Sequence, residues 1–134
     1  MNYLLDTHIL IWYFNGDDRI STKTRLTIDD NDNEIYFSVL SIFEVELKHL
    51  NKSGKMPYGG GELVNLCLNA GFNCLPLKLE HVFEIRNLKR KEGKLPHKDP
   101  FDNLMLAQAI AENMLFMTHD ERIAEYDTPN IFKV

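Results

Sequence analysis

The chain has 134 residues, of which 44% are apolar, and this size supports one hydrophobic core but hardly two. Its net charge of −5 argues against a protein that holds nucleic acid through overall basicity. No apolar run approaches the roughly 20 residues of a membrane span, and the first residues lack the basic start and cleavage site of a signal peptide. We therefore expect one cytoplasmic domain over residues 1–134.

Short apolar runs of strand length alternate with segments of helical period. Strands are predicted at 2–5, 34–39, 73–77 and 114–118, with an additional edge strand in the terminal IFKV. Helices are predicted near 7–15, 21–30, 41–53, 61–70, 79–92, 100–113 and 121–126. The turn signals DDNDN, KSGK and GGG separate these elements. This alternation predicts an α/β domain built on a parallel sheet.

The two cysteines, Cys67 and Cys74, lack the spacing of metal ligands and of a disulfide framework. Both lie among apolar neighbours in the sequence. They are predicted to be ordinary thiols in the core.

Two aspartates come shortly after predicted strands. Asp6 follows the first strand immediately, and Asp120 comes two residues after the fourth. In an open parallel sheet the loops at the carboxyl ends of the strands converge on a crevice, where ligands bind at the point at which the strand order reverses. Both side chains are therefore predicted at the sheet edge where a site would form.

Two further acids are predicted in the first turns of helices at the same edge. Ser41 is the predicted N-cap of the third helix, which makes Glu44 its third helical residue. Asp99 is the predicted cap of a helix that begins at Pro100, and Asp102 then has the equivalent third position. Four separate segments thus each bring one carboxylate toward one end of the domain.

These acids also have a purely structural interpretation. Asp6 and Asp120 are suited to cap helices, and Ser41 with Glu44 forms a capping box worth about 1 kcal/mol. Capping does not require acids from four elements at one edge, however, because Ser, Thr or Asn serve as well. Four carboxylates so close together would repel strongly unless cations lay between them. Oxygen ligands of this kind predict one or two Mg²⁺ or Mn²⁺ ions rather than a structural zinc.

A basic run, RNLKRKEGKLPHK, precedes Asp99 and is interrupted by a single acid, Glu92. Such a run is usually a solvated helix face and loop. It lies immediately before the acidic pair, and its positive charge suits contact with phosphate groups. The candidate residues for such contacts are Lys89, Arg90, Lys91, Lys94 and Lys98.

Aromatic residues and histidines adjoin the first and last acidic motifs. Trp12, Tyr13 and Phe14 occupy adjacent positions and cannot all face one core, which predicts some exposed apolar surface and indicates an interface. His8 and His119 each neighbour a proposed ligand. Histidines beside strand ends more often pack or hydrogen-bond than bind metal, so neither is assigned a catalytic role.

Four motifs of the chain resemble, in order and spacing, those of the PIN domain of VapC-type toxins: LLDTHILIW, SIFEVELK, HKDPFDNLMLAQA and MTHDERI. The resemblance implies a Rossmann-like, three-layer α/β sandwich around a short parallel sheet of about four to five strands. It also implies metal-dependent endonucleolytic cleavage of RNA, with in-line attack by water that leaves a 5′-phosphate and a 3′-hydroxyl. The basic run before Asp99 is then expected to bind RNA by holding the phosphates that flank the cleaved bond. Matched position by position, it assigns the catalytic and metal-binding quartet as Asp6, Glu44, Asp102 and Asp120, with Asp99 and Thr118 as accessory residues.

The resemblance further implies an antitoxin protein that blocks the site, and a homodimer. Two departures from the family pattern concern partners more than metals: Asn103 stands where Arg is frequent, and Phe43 where Trp is frequent. Two alternatives remain open, namely a module that binds metal or RNA without cleaving it, and a PIN-type nuclease that acts on DNA. No membrane partner is expected.

Overall fold

The computed structural model describes residues 1–51 and 56–134, and no helix in these ranges is long and apolar enough to cross a membrane. The predicted turn KSGK, at 52–55, lies outside the described residues. The strands are β1 (Asn2–Leu5), β2 (Glu34–Ser38), β3 (Asn73–Leu75), β4 (Leu115–Thr118) and β5 (Ile131–Lys133). The helices are α1 (Thr7–Asn15), α2 (Thr22–Asp29), α3 (Val39–Leu50), α4 (Gly60–Asn69), α5 (Leu79–Glu84) and α6 (Pro100–Ala111).

The five strands form one parallel sheet in the order β3-β2-β1-β4-β5. β1 lies at its centre, where Leu4 is in register with Tyr36 on one side and with Phe116 on the other. The chain first builds the sheet outward from β1 through β2 and β3, and then returns to the other side of β1, so the strand order reverses between β1 and β4. A crevice forms at the carboxyl ends of the strands at such a point.

Alternate residues of the central strands divide the core into two layers. Leu5, Phe37 and Met117 belong to the cluster that packs against α1, α3 and α4. Leu4 and Phe116 belong to the cluster that packs against α6. Successive strand side chains point to opposite faces, and parallel connections place helices on both faces, so each face of the sheet is covered. The predicted three-layer α/β sandwich is confirmed, including the edge strand in IFKV.

α3 begins earlier than predicted. The hydroxyl that caps it belongs to Ser38, which accepts the Leu40 N–H at 3.0 Å. Ser41 is buried inside the first turn, and its Oγ lies 2.8 Å from the Thr7 Oγ1 of α1. The predicted capping box is therefore wrong, and Glu44 is the sixth residue of the helix rather than the third.

The predicted helix over 79–92 is much shorter, since α5 and the 3₁₀ turn that follows it end at Asn87. Beyond this point Arg90 pairs with Tyr126 in an antiparallel bridge, and Gly93 takes a φ of 79°. This left-handed conformation suits a turn and does not continue an α-helix. The basic run is thus mostly a loop rather than a helix face.

Two smaller differences concern local features. Cys67 is buried as predicted, but Cys74 is exposed, because β3 lies at the edge of the sheet. The helix predicted near 121–126 is a single 3₁₀ turn over Ile123–Glu125.

The close contact between α3 and α4 yields a test of the fold at Gly60. A Cβ at this position would lie 2.9 Å from Ile42 Cγ2 and 3.1 Å from the Ile42 carbonyl oxygen, whereas a Cβ at Gly61 would meet nothing within 4 Å. Gly60→Ala should lower the free energy of unfolding by about 1–3 kcal/mol through overpacking. Gly61→Ala should leave it unchanged or raise it by up to about 1 kcal/mol. Urea denaturation followed by circular dichroism measures both, and equal midpoints would contradict this packing.

Candidate active site

Asp6 lies at the carboxyl end of the central strand and is only 3% exposed. It is the N-cap of α1, and its Oδ1 accepts the Thr7 N–H at 2.7 Å. Its Oδ2 accepts the Thr118 hydroxyl, also at 2.7 Å. Two donors therefore fix the orientation of this buried carboxylate at the place where the strand order reverses.

Thr118 joins the loop after β4 to the loop after β1. While its hydroxyl donates to Asp6, the same oxygen accepts the Asp120 N–H at 3.1 Å. Asp120 in turn accepts the Arg122 N–H at 2.7 Å and so caps the turn that follows. Asp120 is partly exposed, which leaves its carboxylate at the mouth of the crevice.

Asp102 reaches the crevice from the first turn of α6. Asp99 is the N-cap of this helix, as predicted, and accepts the N–H groups of Phe101 at 2.9 Å and Asp102 at 3.2 Å. The Oδ2 of Asp102 lies 2.8 Å from His97 Nε2. Ligand atoms of His97, Asp102 and Asp120 all lie within 4.8 Å of one another. No role was predicted for His97 from the sequence, where its only signal is its place in the motif that contains Asp102.

Glu44 lies on α3, and its carboxylate pairs with Lys48, one turn along the same helix, at 3.2 Å. The residue before it, Phe43, packs against Phe101 of α6 with ring centroids 5.7 Å apart. The structure thus brings the three aspartates together and leaves the predicted glutamate paired with a lysine on the helix that contacts α6.

The electrostatics of the cluster follow from burial and mutual repulsion. Burial raises the pKa of Asp6 to about 6, the Thr118 hydrogen bond opposes this rise, and the charge of Asp102 adds to it. Burial also raises the pKa of Asp102, against the hydrogen bond from His97, and the charges of neighbouring aspartates raise it further. In the protein alone, the charged forms of these acids are therefore disfavoured.

The residues fit a divalent cation. Carboxylate oxygens are the ligands that Mg²⁺ and Mn²⁺ prefer. The His97 Nε2 beside them is engaged with Asp102, so it supports a ligand rather than acting as one. A cation among the aspartates would favour the ionised carboxylates that burial and repulsion disfavour. The raised pKa of Asp6 is thus the electrostatic feature that a bound metal ion would relieve.

A second group of acids and a histidine, Glu80, His81 and Glu112, has a structural role. His81 is fully buried, and its Nδ1 accepts the Lys78 N–H at 3.0 Å. Its Nε2 must then carry the proton, which it donates to Glu112 at 3.0 Å. Because both ring nitrogens are engaged, this histidine joins the start of α5 to the end of α6 and offers no nitrogen to a metal.

Arg90 is held inside the basic loop. Its guanidinium donates to the carbonyl oxygens of Leu95 at 2.8 Å and Arg122 at 2.6 Å, and pairs with Glu125 at 3.0 Å. It also lies over the Tyr126 ring, 4.5 Å from the centroid. These contacts favour a structural role for Arg90 over the predicted contact with RNA phosphate.

The lysines of the same run differ from Arg90 in exposure. Lys89 and Lys91, on either side of it, are exposed, as the alternation of an extended segment requires. Lys94 pairs with Glu125 at 3.1 Å, and Lys98 is exposed beside the start of α6. Lys94 and Lys98 line a cleft together with His97, the partner of Asp102, whereas Lys89 lies near Ile110 toward the other end of α6.

A cleft of about 220 Å³ opens next to the acids, and it is lined by Asp6, His8, Trp12, His119 and Asp120. The Trp12 ring lies 5.2 Å from that of His119 and 5.9 Å from that of His8, measured between centroids. The Nδ1 of His119 also lies 2.9 Å from the Val134 carbonyl oxygen. Both histidines thus pack or hydrogen-bond, as predicted.

The raised pKa of Asp6 gives a pH dependence to the stability of the metal-free protein. The native state keeps the Asp6 proton up to about pH 6, whereas the unfolded chain loses it near pH 3.8. Protonation of Asp6 therefore stabilises the native state fully below pH 3.8, and this stabilisation is lost as the pH rises through 6. Asp6→Asn should remove this loss and make the protein more stable than the wild type at pH 7.5, by on the order of 1–3 kcal/mol.

Urea unfolding in EDTA at pH 4 and pH 7.5 measures this effect. The exposed Asp18 provides the matched control, and Asp18→Asn should follow the wild type at both values. An Asp6→Asn variant that is less stable than the wild type at pH 7.5 would show that the buried charge is not the dominant effect.

Comparison with known proteins shows which family and which solved structures this chain resembles. A family model described as PIN domain matches residues 3–129. The fold is similar to that of VapBC2 from Rickettsia felis bound to a DNA fragment from their promoter, with a TM-score of 0.66 and 19% identity over 100% of this chain and 98% of that chain. It is also similar to VapBC-1 from nontypeable Haemophilus influenzae, with a TM-score of 0.60 and 14% identity over 93% and 92% of the two chains.

A search of curated protein sequences found no match. The family model nevertheless spans nearly all of the chain, from the first strand to the loop before the last. The resemblance that the four sequence motifs indicated is therefore confirmed, and the chain belongs to the PIN-domain family.

Proposed function

We propose that this protein is a divalent-metal-dependent endoribonuclease that hydrolyses RNA phosphodiester bonds. The observation that carries the proposal is the grouping of Asp6, Asp102 and Asp120 where the strand order of a PIN-family sheet reverses. Buried acids with raised pKa values in a crevice are typical of functional sites. Their chemistry suits metal-assisted hydrolysis better than a purely structural role.

Asp6 and Asp102 would hold the cation, Mg²⁺ or Mn²⁺. When bound, the cation would supply positive charge at the phosphate and lower the pKa of a water that attacks it. Thr7 and Thr118 orient the two oxygens of Asp6, and His97 orients Asp102. Preorganised ligands of this kind reduce the reorganisation that binding requires.

The other acids would have supporting roles. Asp120, at the mouth of the crevice, would complete the site or hold a second ion. Glu44, on α3, would bind the cation or orient the attacking water once its carboxylate has left Lys48. Asp99 acts as the cap of α6 and so supports the turn that carries Asp102.

The exposed lysines of the basic loop would contact the phosphates on either side of the cleaved bond. Lys89, Lys91 and Lys98 are exposed on the loop that leads into α6, and Lys94 would join them if it left Glu125. Such contacts hold the RNA backbone in position without reading its sequence. They would also offset the repulsion between RNA and a chain of net charge −5.

A protein partner is part of the proposal. The similar solved structures are VapBC proteins, and we infer that this chain is the toxin of a toxin–antitoxin pair that acts in the cytoplasm. α3 supports a partner surface, because Phe43, Leu47 and Leu50 are exposed on one face by 51%, 40% and 66%. Homodimer formation remains a prediction.

Co-expression with the small protein encoded beside this chain tests the partner. We expect a stable complex by size-exclusion chromatography and loss of RNA cleavage in the complex. Failure to form a complex, together with unrelieved growth arrest, would contradict the pairing without contradicting the nuclease.

The adjacent acids of α6 give a matched test of the nuclease. Asp102→Asn should reduce Mg²⁺-dependent cleavage of cellular RNA by more than about 100-fold, above the roughly 10–100-fold expected for an outer ligand partner. Asp99→Asn should stay within a few-fold of the wild type, because Asn caps a helix as well as Asp does. Gel analysis with Mg²⁺, Mn²⁺ or EDTA measures both, and equal activity of Asp102→Asn and the wild type would refute the metal site.

The lysines beside Arg90 give a test of phosphate binding. Replacing Lys89 and Lys91 by Gln should lower the slope of log affinity against log salt by about 1.4, at about 0.7 for each phosphate contact of a single strand. Arg90→Gln should instead lower the free energy of unfolding, because its partners are within the protein. Fluorescence anisotropy with labelled RNA measures the slope, and an unchanged slope in the lysine variant would rule out the contacts.

A further inference from the structure

Three rings face the acidic cluster across the 220 Å³ cleft. His8 and His119 are exposed, and Trp12 lies between them and is half-buried. The opposite side of the cleft is formed by Asp6 and Asp120, two of the proposed metal ligands. The cleft therefore places aromatic rings beside the carboxylates that would hold the metal ion at the RNA phosphate.

The local sequence explains why these rings are available. His8 and Trp12 are four residues apart on α1 and so share one face of the helix, while His119 comes from the loop after β4. The neighbours of Trp12 are used elsewhere, because Tyr13 and Phe14 each pack against Phe72 with centroids 5.7 Å apart. All three adjacent aromatic residues are half-buried, and of the three only Trp12 lines the cleft beside the acids.

Arg19 holds the indole in place. Its guanidinium carbon lies 4.5 Å from the Trp12 ring centroid and is itself fixed by Asp17 at 2.6 Å. A ring that is oriented before its ligand arrives binds with less loss of conformational freedom. Trp12 thus packs partly against the core and presents the rest of its ring, already oriented, to the cleft.

A second cleft continues the first one. It has a volume of about 480 Å³, shares His8 and Trp12 with the smaller cleft, and is also lined by Thr7, Asn15 and Arg19. The two clefts therefore adjoin each other at His8 and Trp12. Adjoining clefts suit a single strand, whose bases can leave their neighbours and enter a cleft one at a time.

We propose that His8, Trp12 and His119 form a stacking site for one unpaired RNA base, next to the phosphate that the acidic cluster would bind. This inference rests on the proposed function, and it places one unpaired base beside the acidic cluster. Aromatic side chains bind bases through their π-faces, largely without regard to sequence. A base within a duplex has both faces covered by its neighbours, so double-stranded RNA cannot use the site.

Trp12 is the single tryptophan of the chain, so its fluorescence reports directly on stacking. The experiment uses the Asp102→Asn variant in Mg²⁺, with gel analysis to verify that the strand stays intact. Hexauridylate and hexaadenylate should quench the fluorescence. A duplex, and a hexanucleotide backbone with abasic residues, should not. Absence of quenching by both single strands, or equal quenching by the abasic backbone, would overturn the stacking site.

Two substitutions at His119 distinguish base stacking from the hydrogen bond that this residue makes to Val134. His119→Ala should raise KM for single-stranded RNA by about 5- to 100-fold, the range expected for the loss of one base stack. His119→Phe loses the same hydrogen bond but keeps a ring, and it should recover most of the affinity. If the Phe variant behaved like the Ala variant, the effect would belong to the hydrogen bond or to charge, and the stacking proposal would fall.

The two readouts distinguish this inference from the proposed function. Metal-dependent cleavage without quenching by the single strands would leave the nuclease in place and overturn the stacking site. Quenching by both single strands, with no cleavage by the wild type under any metal condition, would support the stacking site in an RNA-binding module and overturn the nuclease.

Discussion

The hydrogen bond from Thr118 to Asp6 is the contact on which the site depends. It joins the ends of β1 and β4, the two neighbouring strands whose loops diverge, and it lies wholly in the buried interior. Burial alone would favour the neutral acid, and this donor opposes that effect. The same hydroxyl also accepts the Asp120 N–H, so one side chain positions two acids from two loops.

The loop before α6 is basic, and its arginine is used to build the structure. Arg90 fastens this loop to the 3₁₀ turn around Arg122 through carbonyl oxygens and a carboxylate. The loop then delivers His97 to Asp102. Asn103, which departs from the family pattern, donates to the His97 carbonyl oxygen at 2.8 Å and accepts from the Tyr126 hydroxyl. In this chain the departure has a structural use, since it holds the histidine segment against α6.

At Asp6, helix capping and membership of the acidic cluster coincide rather than exclude each other. Asp6 caps α1 and also belongs to the acidic cluster, because the N–H groups of a helix N-terminus orient a carboxylate and favour its charge. In α6 the two tasks are divided, since Asp99 caps the helix and Asp102 enters the cluster. Helix N-termini at the carboxyl ends of parallel strands thus place acids where a site can form.

The sequence by itself determined the parts of the structure that local patterns encode. Alternating apolar runs and helical periods gave the strands, the parallel sheet and its two covered faces, and the order of four motifs gave the family. Asp6 and Asp120 could be placed at the correct edge because they follow strands directly. Asp99 could be identified as a cap because Pro100 follows it.

Only the tertiary structure decided the features that depend on partners far along the chain. The start of α3 fell at Ser38 because Ser41 is buried against Thr7, and this moved Glu44 out of its predicted position. In the same way, Arg90 turned inward because its acceptors lie more than 30 residues away or across the loop, which no local pattern encodes. Periodicity fixes which face of an element is buried, whereas long-range packing fixes which side chain each polar group meets.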